Sequence, residues 1–210
     1  MDANERLRAA LNGEPTDHLP FSPFLAYVWE SYPPWVQERG QLAFLRAVGA
    51  DPLWRGAPCG VSLAYNGVEV RTREDGPRLW TEFSTPVGTL RQCHLLSATG
   101  NTRFLIEHPL KTRADLLVQL WIEEHTVYCV DLAPVHAHLA TEGREGLSLG
   151  MLIQRFKSAY QTLIEHLMGT QELVYALQDY PDVVNTLWAA MVANDLKAAE
   201  LSVQAPYATI

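Results

Sequence analysis

The stretch GVEVRTREDGPRLWTEFSTPVGTLRQCHLL, residues 67–96, decides how this chain is read. Two alternating runs flank Asp75-Gly76, and Asp-Gly supplies the positive backbone angles that a tight hairpin turn needs. Val87-Gly88 opens a third run, Thr89 to Leu95, and NTRFLIEHPL (101–110) reads as a fourth strand. The spacing therefore predicts an antiparallel β insertion over about 67–107.

On both sides the period changes to that of helices. DANERLRAAL carries Leu7 and Leu11 on one face and ends at Gly13. A short strand is expected over Leu19 to Ser22, broken by Pro20 and Pro23. An aromatic, proline-rich loop or short helix follows, then a helix closed by Gly49 and a strand in ADPLWRG. Beyond the insertion, Thr112 and Asp115 form a variant capping box at the start of a helix. DLAPVHAHLATEG is helical and GLSLGML is a strand. Thr170 caps the helix TQELVYALQDY, and Pro181 opens the longest helix. QAPYATI at the chain end reads as the opening of another strand. Strands alternating with helices point to an α/β fold with a parallel core, in one domain over 1–210.

Composition narrows the function. A hydrophobic content of 48% against 19% charged residues fits a globular chain. The net charge of −8 disfavours nucleic acid and anionic membrane surfaces as main partners. The N-terminus has mixed charges and no apolar core of a signal peptide, and no stretch is long enough to span a bilayer. The three cysteines, Cys59, Cys93 and Cys129, lack any compact zinc spacing and read as reduced thiols of a cytoplasmic protein. No nucleotide-binding, serine-hydrolase or zinc-protease motif is present. His136 and His138 form the one close histidine pair, but on a helix they point in different directions. His94 and Cys93 face opposite sides of a strand. No metal site is expected.

Four stretches, in this order, resemble the uroporphyrinogen decarboxylase superfamily. They are NERLRAALNGEPTDHLPFSP, DGPRLWTEFSTPVGTL, EHPLKTRADLLVQLWIEEHT and LIEHLMGTQELVYALQDYPDVVNTLW. The second to fourth are closest to the branch that moves methyl groups between a corrinoid and a thiol such as coenzyme M. The resemblance spans residues 4–188 but corresponds to only the N-terminal part of the family's length. It implies a TIM (β/α)8 barrel, which usually takes about 250 residues. Four barrel-type strands are expected here, near Leu19, Asp51, Leu147 and Ala208. The chain is thus read as an incomplete, N-terminal part of such a barrel, completed by a missing C-terminal half or by a homo-oligomer.

In such a barrel, ligands sit where the loops leave the C-terminal ends of the strands. The loop after the Leu19 strand offers Phe24, Tyr27, Trp29 and Glu30 and has no arginine or lysine. The family's decarboxylase uses arginines there to clamp carboxylates, so their absence favours the methyltransferase-like branch. Tyr27 and Trp29 are either substrate walls or packing residues. After the next strand, Arg55 offers an anion contact or a surface charge, and Asp51 reads as a strand-entry residue. Glu165 lies close to the position of a functional tyrosine of the decarboxylase. It is the catalytic candidate, for proton transfer or substrate orientation, with His166 beside it as a substrate-binding candidate. The alternative is a solvated helix residue.

The resemblance implies a methyltransferase acting on a small molecule, with a corrinoid protein as partner. A divergent decarboxylase of porphyrin synthesis and a non-catalytic binding or assembly module stay open beside it. No cofactor is expected within this chain. Zinc would enter only with the His and Cys ligands of a C-terminal half, and without them the polypeptide is expected to be inactive alone.

Overall fold

The computed structural model describes residues 1–26, 28–98, 102–150, 155 and 157–207. The chain divides into two compact units. One comprises Met1–Val61, Val130–Leu152 and Leu201–Ile210, and the other comprises Ser62–Cys129 and Ile153–Glu200.

The first unit begins with α1, Ala3–Leu11. Asp2 accepts from the Glu5 backbone N–H while the Glu5 carboxylate accepts from that of Asp2, a capping box that satisfies two otherwise orphaned donors. Arg6 then ties the unit together. Its guanidinium donates to Asp17 at 2.6 and 3.1 Å, to the Met1 carbonyl at 2.7 Å and to the buried carboxylate of Asp51. Asp51 also accepts from the Phe21 N–H at 3.1 Å. The hydrogen bond from Arg6 holds the Asp17 carboxyl well below the usual carboxylate range. Asp51, read from sequence as a strand-entry residue, is thus a tie between α1 and the segment at Phe21.

A 3-10 turn at Trp29–Ser31, a short helix α2 (Pro34–Gln37) and α3 (Gln41–Ala47) follow. Gly40, at φ +80°, separates α2 from α3, where the sequence reading has one continuous helix. Strand β1, Leu53–Ala57, follows within this unit, and β2, Val61–Tyr65, begins the next segment.

In the second unit the expected insertion forms a four-stranded antiparallel sheet. Its strands are β3 (Glu69–Asp75), β4 (Arg78–Thr85), β5 (Gly88–Leu96) and β6 (Arg103–Glu107), in sequential order. The expected hairpin forms, but Asp75 pairs with Arg78, so its two-residue turn is Gly76-Pro77, one residue later than the Asp-Gly signal places it. One face, including Leu90 and Phe83, packs on α4, Arg113–Glu124. Thr112 caps α4, with Asp115 returning the bond, as its sequence implies. The core continues through α6 (Ala159–Thr162), a π-helical turn (Leu163–Met168), α7 (Thr170–Asp179) and α8 (Pro181–Ser202). Gly169, rather than Thr170, occupies the N-cap of α7, and no side chain caps it.

β7, Thr126–Val130, pairs with β2 in a two-stranded sheet that the sequence reading did not anticipate. Within the second unit, Glu123 on α4 is buried and receives both terminal nitrogens of Arg155 at 3.1 and 3.0 Å. Arg155 Nε donates to Asp195 at 2.7 Å, and Asn194 donates to Glu123 at 2.8 Å. A buried charge is tolerated when its lone pairs are satisfied in this way.

The chain then returns to the first unit through α5, Ala133–Ala140, and β8, Leu147–Gly150. β8 runs parallel to β1, with Leu53 opposite Leu147 and Trp54 opposite Ser148. Gly146, at φ +108°, lets β8 approach, because a Cβ there would fall 2.0 Å from the Pro52 carbonyl oxygen.

The expected TIM barrel is not formed. The described residues make sheets of two, two and four strands, none closed, and the largest is antiparallel. The segment at Leu19–Ser22 joins no ladder, and Leu19 is 87% exposed. Pro20 and Pro23 explain this: each lacks an N–H donor, so that segment cannot sustain a strand between neighbours. The strand expected near Ala208 lies outside the described residues. With the barrel fall the assignment to the uroporphyrinogen decarboxylase superfamily and the corrinoid-dependent methyl transfer or decarboxylation that it implied. Among the described residues, no helix is long and apolar enough to cross a membrane.

Candidate functional site

A cleft of about 350 Å³ opens in the first unit beside β1. Residues Leu53 to Pro58 form one wall, and Phe24, Leu25 and Leu45 form another. His138 of α5 and Glu142 complete it. A mostly apolar concavity with a few convergent polar groups is the usual form of a small-molecule site.

His138 is the most constrained polar group in this cleft. Its Nε2 lies 2.9 Å from the Ser148 hydroxyl, and its Nδ1 lies 3.7 Å from the Glu142 carboxylate. Trp54 and Tyr207 stand edge-on to the imidazole, each with its ring centroid 6.3 Å away. Strand register and helical spacing account for this enclosure. Trp54 and Ser148 are register partners on adjacent parallel strands, so their side chains share one face of the pair. His138 and Glu142 are four residues apart at the end of α5, where side chains of a helical turn meet. Trp54 is fixed by donating its indole N–H to the Glu145 carbonyl at 3.1 Å. Tyr207 donates to the Pro58 carbonyl at 2.5 Å, and burial raises its phenol's pKa above the ordinary value. The Tyr207 ring lies so close to Gly150 that a Cβ there would sit 3.1 Å from it.

The arrangement suits proton exchange. A serine hydroxyl both donates and accepts, so Ser148 can serve Nε2 in either protonation state of the ring. At 3.7 Å the Glu142 carboxylate attracts an imidazolium without forming a hydrogen bond to it. Nδ1 therefore keeps its capacity to meet a ligand group. The order Ser148–His138–Glu142 resembles that of a hydrolytic triad, but Ser148 is 8% exposed and is not among the residues lining the cleft. Its hydroxyl is placed to orient the ring rather than to attack a ligand.

Arg55 is the cationic residue of the cleft wall. Its guanidinium carbon sits 5.3 Å from the Phe24 ring centroid, and no carboxylate pairs with it among the described residues. An exposed arginine beside an aromatic ring keeps its planar fork available for an anionic group.

The other sequence candidates are placed elsewhere. Trp29 packs against Tyr32 and Phe44, with ring centroids 5.7 and 6.1 Å away, and Glu30 sits in the same 3-10 turn. Tyr27 lies outside the described residues. Glu165 and His166 belong to the π-helical turn of the second unit. The Glu165 carboxylate meets Lys157 Nζ at 2.5 Å and Gln161 Nε2 at 2.6 Å. These bonds, that of Lys157 first, hold its pKa below the ordinary value.

Sequence reasoning brought Arg55 and Phe24 to this place and missed His138, Glu142 and Ser148 as a set. The HAH pair was the available signal. Its partner Ser148 is on a strand ten residues later, and nothing in the spacing announces that meeting. No group of three or more His, Cys, Asp or Glu side chains suited to a metal occurs among the described residues, and no disulfide joins the three cysteines. No family model, curated protein or solved structure matches this chain.

Proposed function

We propose that the cleft beside β1 binds a small organic acid and that His138 exchanges a proton with it. One observation carries this reading: an imidazole in the cleft wall is held between a buried hydroxyl and a carboxylate and enclosed by two aromatic rings. Histidine changes charge near neutral pH, so a fixed imidazole is suited to general acid–base work. Arg55 supplies the counter-charge for a carboxylate, and Phe24 with Leu25 and Leu45 supplies apolar wall. Ser148 and Glu142 act through His138 as positioning residues.

The test is a panel of small aromatic and aliphatic carboxylates screened by calorimetry, followed by NMR of the His138 ring. The expected result is saturable binding of at least one acid that perturbs the His138 ring resonances. Arg55→Ala should weaken it about tenfold, the loss of one charge-assisted contact. Binding that leaves both His138 and the Arg55 variant unaffected, or no binding by any acid in the panel, rejects the reading.

A further inference from the structure

The second unit carries a different cluster on one face of its four-stranded sheet. Arg71 and Arg73 alternate along β3, Trp80 and Glu82 along β4, and Arg91 lies on β5. The register sets them in two rows. Arg71, Glu82 and Arg91 are successive cross-strand partners, and Arg73 is opposite Trp80. Residues two apart on a strand share a face, so these side chains converge. Together with Thr72 they line a hollow of about 400 Å³.

The hollow is rich in donors and poor in acceptors. Each guanidinium carries five N–H donors. Arg71 is paired to Glu69 at 2.9 and 3.0 Å, a contact exposed to solvent on both sides and so weakly held. Arg91 meets Glu107 at 3.6 Å, and its guanidinium carbon lies 4.4 Å from the Trp80 ring centroid. Arg73 has no carboxylate partner among the described residues. Glu82 is the one carboxylate among the residues that line the hollow. Glu69 and Glu107 flank it as partners of Arg71 and Arg91, so Arg73 is the lining arginine with no carboxylate partner among the described residues, on a chain whose net charge is −8. Planar guanidinium forks match phosphate oxygens in pairs, and an indole offers a π face to a planar ring.

We infer that this face of the sheet is a second binding site, for a small organic phosphate with an aromatic ring, such as a nucleoside monophosphate. Arg73 and Arg91 hold the phosphate, and Trp80 meets the ring. The overall acidity of the chain favours a compact ligand over a nucleic-acid strand, whose many phosphates the rest of the surface would repel.

The experiment is calorimetric titration of the full chain at low ionic strength with adenosine monophosphate, inorganic phosphate and adenosine. Adenosine monophosphate should bind saturably, inorganic phosphate more weakly, and adenosine not at all. Arg73→Ala and Arg91→Ala should each weaken the nucleotide about tenfold. Trp80→Leu should weaken the nucleotide but leave inorganic phosphate unchanged, and His138→Ala should change neither. Absence of saturable nucleotide binding overturns the inference. So does binding that survives the Arg73 and Arg91 substitutions but is lost in Arg55→Ala, which would place the nucleotide in the cleft beside β1. Equal affinity for inorganic phosphate and the nucleotide overturns the role of Trp80.

Discussion

His138 Nε2 and the Ser148 hydroxyl lie 2.9 Å apart, joining the last turn of α5 to β8. This bond orients the imidazole toward the cleft. Ser148→Ala removes the partner and leaves a largely buried ring nitrogen unsatisfied. It should destabilise the fold by about 2 kcal/mol, read from urea denaturation. It should also broaden the His138 ring signals by freeing the ring to reorient. Unchanged stability together with an unchanged ring spectrum would show that the hydroxyl does not hold the histidine.

Gly146 permits the pairing of β1 with β8. An alanine Cβ would fall 2.0 Å from the Pro52 carbonyl oxygen at a backbone angle that side chains rarely adopt. Leu147 N–H donates to that same carbonyl at 3.0 Å. Gly146→Ala should therefore cost more than about 1 kcal/mol and lower the thermal midpoint. A midpoint equal to that of the parent protein would mean that β8 enters the sheet by another route.

Acid should loosen the first unit through Asp17. The Arg6 hydrogen bond holds its carboxyl below the value that it takes in the unfolded chain. A depressed carboxyl contributes stability that is present above the unfolded pKa and lost as pH falls through the folded one. The decline should thus begin in the ordinary aspartate range and continue below it. Asp17→Asn should flatten that part of the profile of urea midpoint against pH. An identical slope in the variant would remove Asp17 from the account.

Alkali should act on the second unit through Tyr128. Its hydroxyl donates to the Asn194 carbonyl at 3.0 Å, and burial pushes its pKa above the ordinary phenol value, up to about 12. Arg155 opposes the rise, and Glu123, Asp195 and Tyr65 add to it. A raised phenol contributes stability that is full below the unfolded pKa and disappears as pH climbs through the folded one. Ultraviolet absorbance should show tyrosines ionising late, Tyr128 among them beside Tyr65 and Tyr207, whose phenols burial also raises. Tyr128→Phe should lower the late amplitude by one phenol and reduce the associated alkaline loss of stability. A variant that keeps the full late amplitude removes Tyr128 from the account.

Short-range chemistry made several elements legible. Gly76 marked the hairpin, to within one residue of the Asp-Gly reading, Thr112 with Asp115 set the start of α4, and Pro181 set that of α8. Each depends on residues within a turn of one another. The paired strands β2 and β7 escaped notice because each is short, and their pairing spans some 60 residues. The candidate cleft was half legible, through Arg55 and Phe24. His138 was seen only as one of a pair with His136, because its function-bearing contacts are not encoded in its neighbours.

The sequence by itself determined where helices and hairpins start and stop, since caps, prolines and positive-φ glycines act on the backbone beside them. Only the tertiary structure decided which strands far apart in the chain are neighbours. Parallel pairing joins residues far apart in the chain, as Trp54 meets Ser148, and no local rule selects that partner. The expected barrel failed at this level. Its strands were inferred one by one, whereas closure depends on every edge finding its neighbour. The setting of His138 was decided there too, because two strands and a helix had to converge before a lone histidine acquired a hydroxyl, a carboxylate and two aromatic walls.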